Sequence, residues 1–328
     1  MKGASVIICC YNSALRIDET LKYALAIKVP NGYGCEVLVI DSNSSDNTKL
    51  AAEKAFAKYG TDTFLFRIIK EPTPGLTSAR QLGIRESRFN LLLFCDDDNH
   101  LEENYLIEAK KIFENNPALG IIGGWCRPKL TAKPRVRVWI EDFYGALAME
   151  RVPGKDRFVN WVFGAGMVIK KEIFSTLLDN KIQLLLTDRL GTKQTSGGDS
   201  EFCLLSKFVG YQIYYSSLLK LDHCISAHRL SRWNFLKTAH QNFYPVMYLQ
   251  QLEYFVLNGE VSPQKLYRQS LWERLKRVFY FASRCILGRH HFYSFISFYS
   301  NVLFVLWMLG SFFTFLKTHA KIKANLSI

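Results

Sequence analysis

Residues 91–100 read LLLFCDDDNH. Four apolar residues and a cysteine run directly into three aspartates. An unbroken apolar run of this length suits a strand covered on both faces, so residues 91–95 are predicted as a short buried strand. Asp96, Asp97 and Asp98 then stand at its carboxyl end, where open α/β sheets bind their ligands. Adjacent aspartates repel one another and are best tolerated with a partner cation. A hard divalent cation takes one or two carboxylates and completes its shell with phosphate oxygens and water. The alternative is a solvated acidic loop that caps the helix beginning near Glu102. The rest of the chain decides against it.

Upstream, strand, loop and helix alternate. Residues 5–10, SVIICC, read as a first strand, YNS as its loop, and residues 15–27 as a helix ending before Pro30. CEVLVI at 35–40 is a second buried strand that opens into DSNSSDNT, where Asp46 or Thr48 could cap a helix over 49–59. A third strand over 64–69 leads into EPTPGLTSARQLGI, with a helix from about 77 to 87. This alternation predicts an α/β fold with a doubly wound, mostly parallel sheet. Its obvious cofactor would be a dinucleotide, but the first loop, CYNSAL, has no GxGxxG to approach a pyrophosphate. Asp41 is compatible with ribose or base recognition. Without glycines a diphosphate must be neutralised in another way, and the carboxylates at 96–98 with a metal would do it.

Downstream, a helix is predicted over 103–114 and a strand over 119–123. Residues 127–137 carry five basic side chains and no acid, which suits a solvated loop or an anion-facing acceptor lip. GAGMVIK at 164–170 reads as a strand entered through glycines, followed by a short helix over 171–178. GTKQTSGG at 191–198 is a flexible loop feeding Asp199, which begins a helix through Phe208; Asp199 and Glu201 could serve there as capping and dipole partners. A strand over 211–215 precedes LDHCISAHRL, which contains His223.

The pieces SVIICCYN, VLVIDSNSSDNT, PGLTSARQLGI, LLLFCDDDN, GAGMVIKKEIF, GGDSEFC and LDHCISAHRL, in this order, resemble the family 2 glycosyltransferases of the GT-A fold over about residues 4–235. The DxSSDxT-like loop and the strand-end aspartate cluster are the more specific of these motifs. The resemblance implies a mostly parallel sheet flanked by helices and a nucleotide-sugar donor, UDP-linked by family habit. It places Tyr11 and Asp41 beside the nucleotide base and Arg80 near the base or diphosphate. Asp96 and Asp98 become the DxD-type pair for Mg²⁺ or Mn²⁺, with Asp98 the favoured direct ligand and Asp97 beside them on the donor side. Asp199 matches the catalytic base of an inverting displacement, and His223 a position near the diphosphate or metal. The family's usual Glu-Asp pair is Gly198-Asp199 here, so the charge next to the base is missing.

Two other classes compete. A catalytically inactive relative could scaffold a membrane assembly, but Asp41, the aspartate cluster and Asp199 are all present. A nucleotidyltransferase would show a glycine-rich basic first loop, which CYNSALR lacks.

The chain has 328 residues, 48% hydrophobic and 22% charged, with a net charge of +13. The charge is concentrated in residues 271–328, which hold eight Lys/Arg and one Glu. A basic, aromatic end points to an anionic membrane surface or to nucleic acid. No nucleic-acid recognition motif is present and this end is strongly apolar, so no nucleic-acid partner is expected. The eight cysteines lack CxxC or zinc spacing and read as reduced core residues of a cytosolic domain. Residues 1–10 do not read as a signal peptide.

The expected organisation is a catalytic domain over 1–235, a helical connector over 236–270 and membrane-associated helices over 271–328. Residues 292–316 run 25 positions without a charge, long enough to span a bilayer. A single span would carry the basic tail away from a cytosolic catalytic domain, against the tendency of Lys and Arg to stay inside. Residues 271–287 interleave Leu, Trp, Phe and Ile with Arg and Lys, as interfacial helices do. The alternatives are a single span and a helical pair packed on the catalytic domain; the expectation is monotopic attachment to the cytoplasmic face, with 271–287 in the interface and 292–316 dipping into it or re-entering, beside a glycan or lipid-linked acceptor.

Overall fold

The β-branched apolar runs form inner strands, and the amphipathic segments between them form covering helices. The computed structural model describes residues 1–130, 145–189, 195–259, 262–287 and 291–326. Its first half runs β1 (Gly3–Cys10), α1 (Ile17–Ala24), β2 (Gly34–Asp41), α2 (Thr48–Tyr59), β3 (Phe64–Lys70), α3 (Leu76–Glu86) and β4 (Leu91–Asp96). These four strands are parallel, in the order β3-β2-β1-β4. Successive residues of β1 feed opposite cores. Val6 and Ile8 pack in one with Ile17, Leu21, Ala52 and Ala55; Ile7 packs in the other with Ala79 and Ile84. Covering both faces is what makes these strands continuously apolar.

Register decides what meets at the sheet edge. Cys10 lies opposite Asp41, and Cys9 opposite Asp96. The ends of β1, β2 and β4 therefore finish at one level, which brings Tyr11, Asp41 and the aspartate cluster to the same side of the sheet.

The chain then continues through β5 (Asn99–Leu101), α4 (Tyr105–Asn115), β6 (Leu119–Leu130), β7 (Arg157–Phe158), β8 (Val168–Lys170), α5 (Glu172–Asp179), α6 (Gly198–Phe208) and β9 (Gln212–Ile225). Strand direction now varies: β8 is antiparallel to β4 and β6, β9 is parallel to β6, and β5 is antiparallel to β9. Among the described residues the sheet order is β3-β2-β1-β4-β8-β6-β9-β5, with β7 against β9. The strand expected over 211–215 is only the start of β9, which is 14 residues long. A register shift between Gly124 and Trp125 lets β6 and β9 keep pairing beyond the point where the pattern breaks. The extension pairs His223 with Asn99, immediately after the aspartates. In the opposite sense, the strand expected over 164–170 shrinks to β8, because Gly164 and Gly166 instead shape a turn.

The C-terminal region is helical: α7 (Arg232–Gln241), α8 (Phe243–Asn258), α9 (Pro263–Ile286), α10 (His291–Gly310) and α11 (Phe312–Leu326). Tyr248 and Leu252 of α8 and Ile322 and Leu326 of α11 join the sheet's second core. Asn325 clasps the backbone of Gln183, donating to its carbonyl at 2.9 Å and accepting from its N–H at 3.0 Å. The apolar stretch 292–316 is therefore not one continuous helix. It breaks after Gly310, a residue with low helix propensity, and α11 turns back onto the core. Tyr293–Gly310 is long and apolar enough to cross a membrane by length and composition, with 33% of it buried against the protein. All eight cysteines are unpaired thiols.

Candidate active site

A cleft of about 580 Å³ opens at the carboxyl ends of β1 and β4, and both halves of the chain line it. Tyr11, Arg80, Asp96, Asp98, Asp199 and His223 all face it. Asp97 lines it too, but its carboxylate is taken up by Ser13 and by Arg16 at 2.6 Å, and its carbonyl accepts from Thr20 at 2.8 Å. These bonds tie the loop after β4 to the loop after β1. Asp41 sits just beneath the cleft, buried, with Oδ1 accepting from the Ser44 N–H at 2.9 Å; its neighbours Ser42 and Asn43 form the wall.

Asp98 is the most heavily engaged of the three aspartates. Oδ1 lies 3.4 Å from His223 Nε2 and accepts from Asn99 at 3.1 Å; Oδ2 lies 3.2 Å from Arg229. Burial works to raise its pKa, but His223 and Arg229 outweigh it and hold the carboxyl at about 2. It is thus an anion throughout the neutral range. Asp97 goes the other way, raised by burial and by Asp98 against the pull of Arg16. Asp96 is freer, with Arg80 Nη2 at 3.8 Å. The other ring nitrogen of His223, Nδ1, is buried without a hydrogen-bond partner.

Asp199 stands at the first turn of α6. Its two carboxylate oxygens accept from the N–H groups of Gly164 and Ser200, each at 2.8 Å. The backbone of Gly164 can come this close only without a side chain: a Cβ there would lie 2.7 Å from Arg80 Nη2 and 3.3 Å from Asp199 Oδ2. Burial raises the Asp199 pKa; Arg80 opposes this and Asp188 adds to it.

Several cleft residues escaped the sequence reading. Asp188 lies in an apolar run without a motif, yet it is buried and meets Arg80 Nη1 at 3.0 Å. Its Oδ1 accepts from the Gly198 N–H at 2.9 Å, and a Cβ on Gly198 would lie 2.5 Å from its Oδ2. The acidic group absent at position 198 thus reappears in space from Asp188, which occupies the room that a side chain at 198 would need. Glu201, read as a dipole partner, is instead a fully buried clamp. It accepts from the N–H groups of Leu185 and Leu186 at 2.7 and 2.8 Å and from the Tyr248 hydroxyl at 2.5 Å, which fixes the segment leading to Asp188. Trp161 and Phe163 also line the cleft, just upstream of the glycines where the motif was read. Arg229 was within a quoted motif, but only the fold brings it to Asp98.

Of the basic run 127–137, residues 131–137 lie outside the described residues. Arg127 is paired with Asp222 at 2.7 Å and Glu102 at 2.6 Å, and Lys129 reaches Glu19 at 3.5 Å, so these two are neutralised by the protein itself. In the loop read over 191–198, residues 191–194 likewise lie outside the described residues.

The family model for glycosyl transferase family 2 matches residues 5–177, more than half of the chain. The chain belongs to glycosyl transferase family 2. It is 28% identical over 140 residues to the poly-β-1,6-N-acetyl-D-glucosamine synthases of Staphylococcus aureus and Staphylococcus epidermidis. That match covers 42% of this chain and 30% of the length of those relatives. Among solved structures, S. aureus TarS superposes with a TM-score of 0.50 at 15% identity, covering 90% of this chain and 55% of TarS. The likeness is one of fold, and the fold is GT-A. Membership of this family and the GT-A fold both direct attention to the carboxyl edge of the sheet, where the cleft lies.

Proposed function

We propose that the cleft binds a nucleotide-diphosphate sugar, UDP-linked in the first instance, and passes the sugar to a hydroxyl of a glycan or lipid-linked acceptor with inversion. One observation carries the reading: register and fold bring Asp96, Asp98 and Asp199 into a single cleft from positions a hundred residues apart in the chain. Tyr11, half-exposed at the rim, offers a ring face for the base, and Arg80 and Arg229 offer positive charge to the diphosphate. Asp199 is held by two backbone N–H groups, so its carboxylate is oriented before an acceptor arrives and can take the hydroxyl proton as the new bond forms. Arg80, held in place by Asp188, offsets the charge of Asp199. The relatives' names make N-acetylglucosamine the first donor sugar to test. A screen that detects nucleotide release from a panel of nucleotide sugars, UDP-N-acetylglucosamine included, tests the proposal; no release from any of them, with or without acceptor, would end it.

The residues fit a divalent cation. Among the described residues no group of three His, Cys, Asp or Glu converges to form a closed cage. A cation of the Mg²⁺ type does not need one, because it is held by one or two carboxylates and by substrate phosphates. Asp96 and Asp98 supply hard oxygen donors facing the cleft, with His223 against Asp98. When bound, Mg²⁺ or Mn²⁺ would neutralise charge growing on the leaving diphosphate.

Base recognition is assigned to Asp41 and the wall it supports. Asp41→Ala is expected to raise the donor KM about tenfold, the scale of one lost hydrogen bond to a charged group, with a smaller change in kcat. Unchanged donor affinity by calorimetry would remove Asp41 from this role.

The membrane end is read as monotopic, on the cytoplasmic face. Two observations support this over a single span: the apolar stretch breaks at Gly310, and α11 returns to the catalytic core. Trp272, Phe279, Tyr280 and Ile286 of α9 are exposed among its Lys and Arg residues, an arrangement suited to the headgroup plane. The protein should sediment with vesicles of phosphatidylcholine and phosphatidylglycerol and be released by salt, since surface charge attraction is screened. Salt-insensitive retention, with the C-terminal tail open to protease only from outside sealed cells, would instead establish a span.

A further inference from the structure

A second cavity, of about 380 Å³, adjoins the donor cleft and shares Arg189, Arg229, Asn242 and Val246 with it. Its far wall is Arg274 of α9 with Ile296, Asn301 and Phe304 of α10. Three arginines line it, and among the described lining residues there is no carboxylate. Arg229 is already turned to Asp98, whereas among the described residues no carboxylate pairs with Arg274. Its Nη1 donates to the Asn301 side-chain oxygen at 3.3 Å, and its guanidinium sits 4.3 Å from the centre of the Phe304 ring. Its Nε is buried without a hydrogen-bond partner. Burial, helped by Arg277, pulls its pKa down to about 10, so it remains a cation at neutral pH. A half-buried cation whose partners among the described residues are an amide and a ring calls for an anion.

The rest of the cavity says what kind of anion. Phe235, Phe243, Ile296 and Phe304 give it large apolar surfaces, interrupted by Asn234, Thr238 and Ser300. The helix behind them, α10, is the one with bilayer-compatible length and composition, and its outer side exposes Phe295, Leu306 and Leu309. The side of the cavity that joins the donor cleft carries Arg189 and Arg229, and Arg274 stands on the opposite wall beside the apolar Ile296 and Phe304 of the membrane-compatible helix. A free phosphate or a sugar would use only half of these features.

We propose that this cavity binds the phosphate or diphosphate group of an anionic lipid at Arg189 and Arg274, with the hydrocarbon lying toward α10. Guanidinium forks match phosphate oxygens in geometry and charge. If glycosyl transfer is the activity, such a lipid would be the carrier of the acceptor, and to that extent the inference rests on the proposed function. The binding itself does not.

The test uses the full chain in phosphatidylcholine nanodiscs and three soluble probes measured by calorimetry: hexyl phosphate, hexyl glucoside and inorganic phosphate. Hexyl phosphate should bind at least about tenfold tighter than either of the others, since it alone joins the charge to a tail. Arg274→Gln should weaken it by about tenfold, with Arg274→Lys in between. Ala239→Phe, which fills the cavity from α7 and leaves every charge in place, should abolish it. UDP binding should be unchanged in all three variants, which shows that they are folded. Equal binding of hexyl phosphate and hexyl glucoside would overturn the proposal, as would indifference to both Arg274→Gln and Ala239→Phe. Inorganic phosphate binding as tightly as hexyl phosphate would overturn the lipid assignment. If hexyl phosphate behaves as expected while no nucleotide sugar is turned over, the lipid site stands and the transfer reading alone fails.

Discussion

Asp199→Asn is expected to lower sugar transfer by at least about two orders of magnitude while donor binding survives, the scale usual for loss of a general base. The amide keeps the size of the carboxylate and one acceptor oxygen for the Gly164 or Ser200 N–H, but it cannot take a proton from the acceptor hydroxyl. The pH profile offers a second check. Burial raises the Asp199 pKa above the ordinary carboxylate range, with Asp188 adding to the rise and Arg80 opposing it. The base works only when ionised, so activity should climb as pH rises through that raised pKa and fall on acidification sooner than an exposed aspartate would allow. In Asp199→Asn this acid limb should flatten. Wild-type kcat in the variant would remove Asp199 from the role.

Asp98→Ala is expected to cost about 10²–10³ in kcat/KM, the range seen when one electrostatic partner of a developing charge is lost. Asp98 is the carboxylate that His223 and Arg229 hold ionised, so its removal does two things. It takes a hard oxygen donor from the place where the diphosphate and its cation should lie. It also leaves a buried arginine and a histidine without their counter-charge, a costly arrangement. Comparison with Asp98→Asn separates the two, because both variants lose the counter-charge but asparagine keeps one, weaker, oxygen donor in place. Binding of nucleoside diphosphate with and without Mg²⁺ should lose its metal dependence in both. Full turnover of the wild-type protein in excess EDTA would overturn the cation assignment whatever the variants do.

Much of this protein was legible in the chain because local pattern and global fold agree. SVIICC, CEVLVI and LLLFC are continuously apolar since helices cover both faces of the sheet, and that run length with interposed helical spacing leaves little but a doubly wound arrangement. Asp96 and Asp98 could be placed at a strand end because the apolar run stops where they begin. Asp199 could be placed at a helix start because glycines precede it.

Other features have no local signature. The pairing of His223 with Asn99 depends on a register shift between two strands that are distant in sequence, and nothing in LDHCISAHRL announces it. Asp188 sits in an apolar segment and acquires meaning only because Glu201, a buried carboxylate on another element, fixes the backbone leading to it. Arg274 reads as one more basic residue on an amphipathic helix until α10 packs against it, with Asn301 at 3.3 Å and the Phe304 ring at 4.3 Å, and half buries it. The apolar stretch 292–316 has the composition of a span, but it ends in α11, whose Ile322 and Leu326 join a core made by the sheet and by α8, 70 positions or more earlier in the chain. Periodicity reports which face of an element is apolar. Which other element covers that face, and what charge is sealed beneath it, is decided by long-range packing, where loss of water gives buried groups energies that no local window contains.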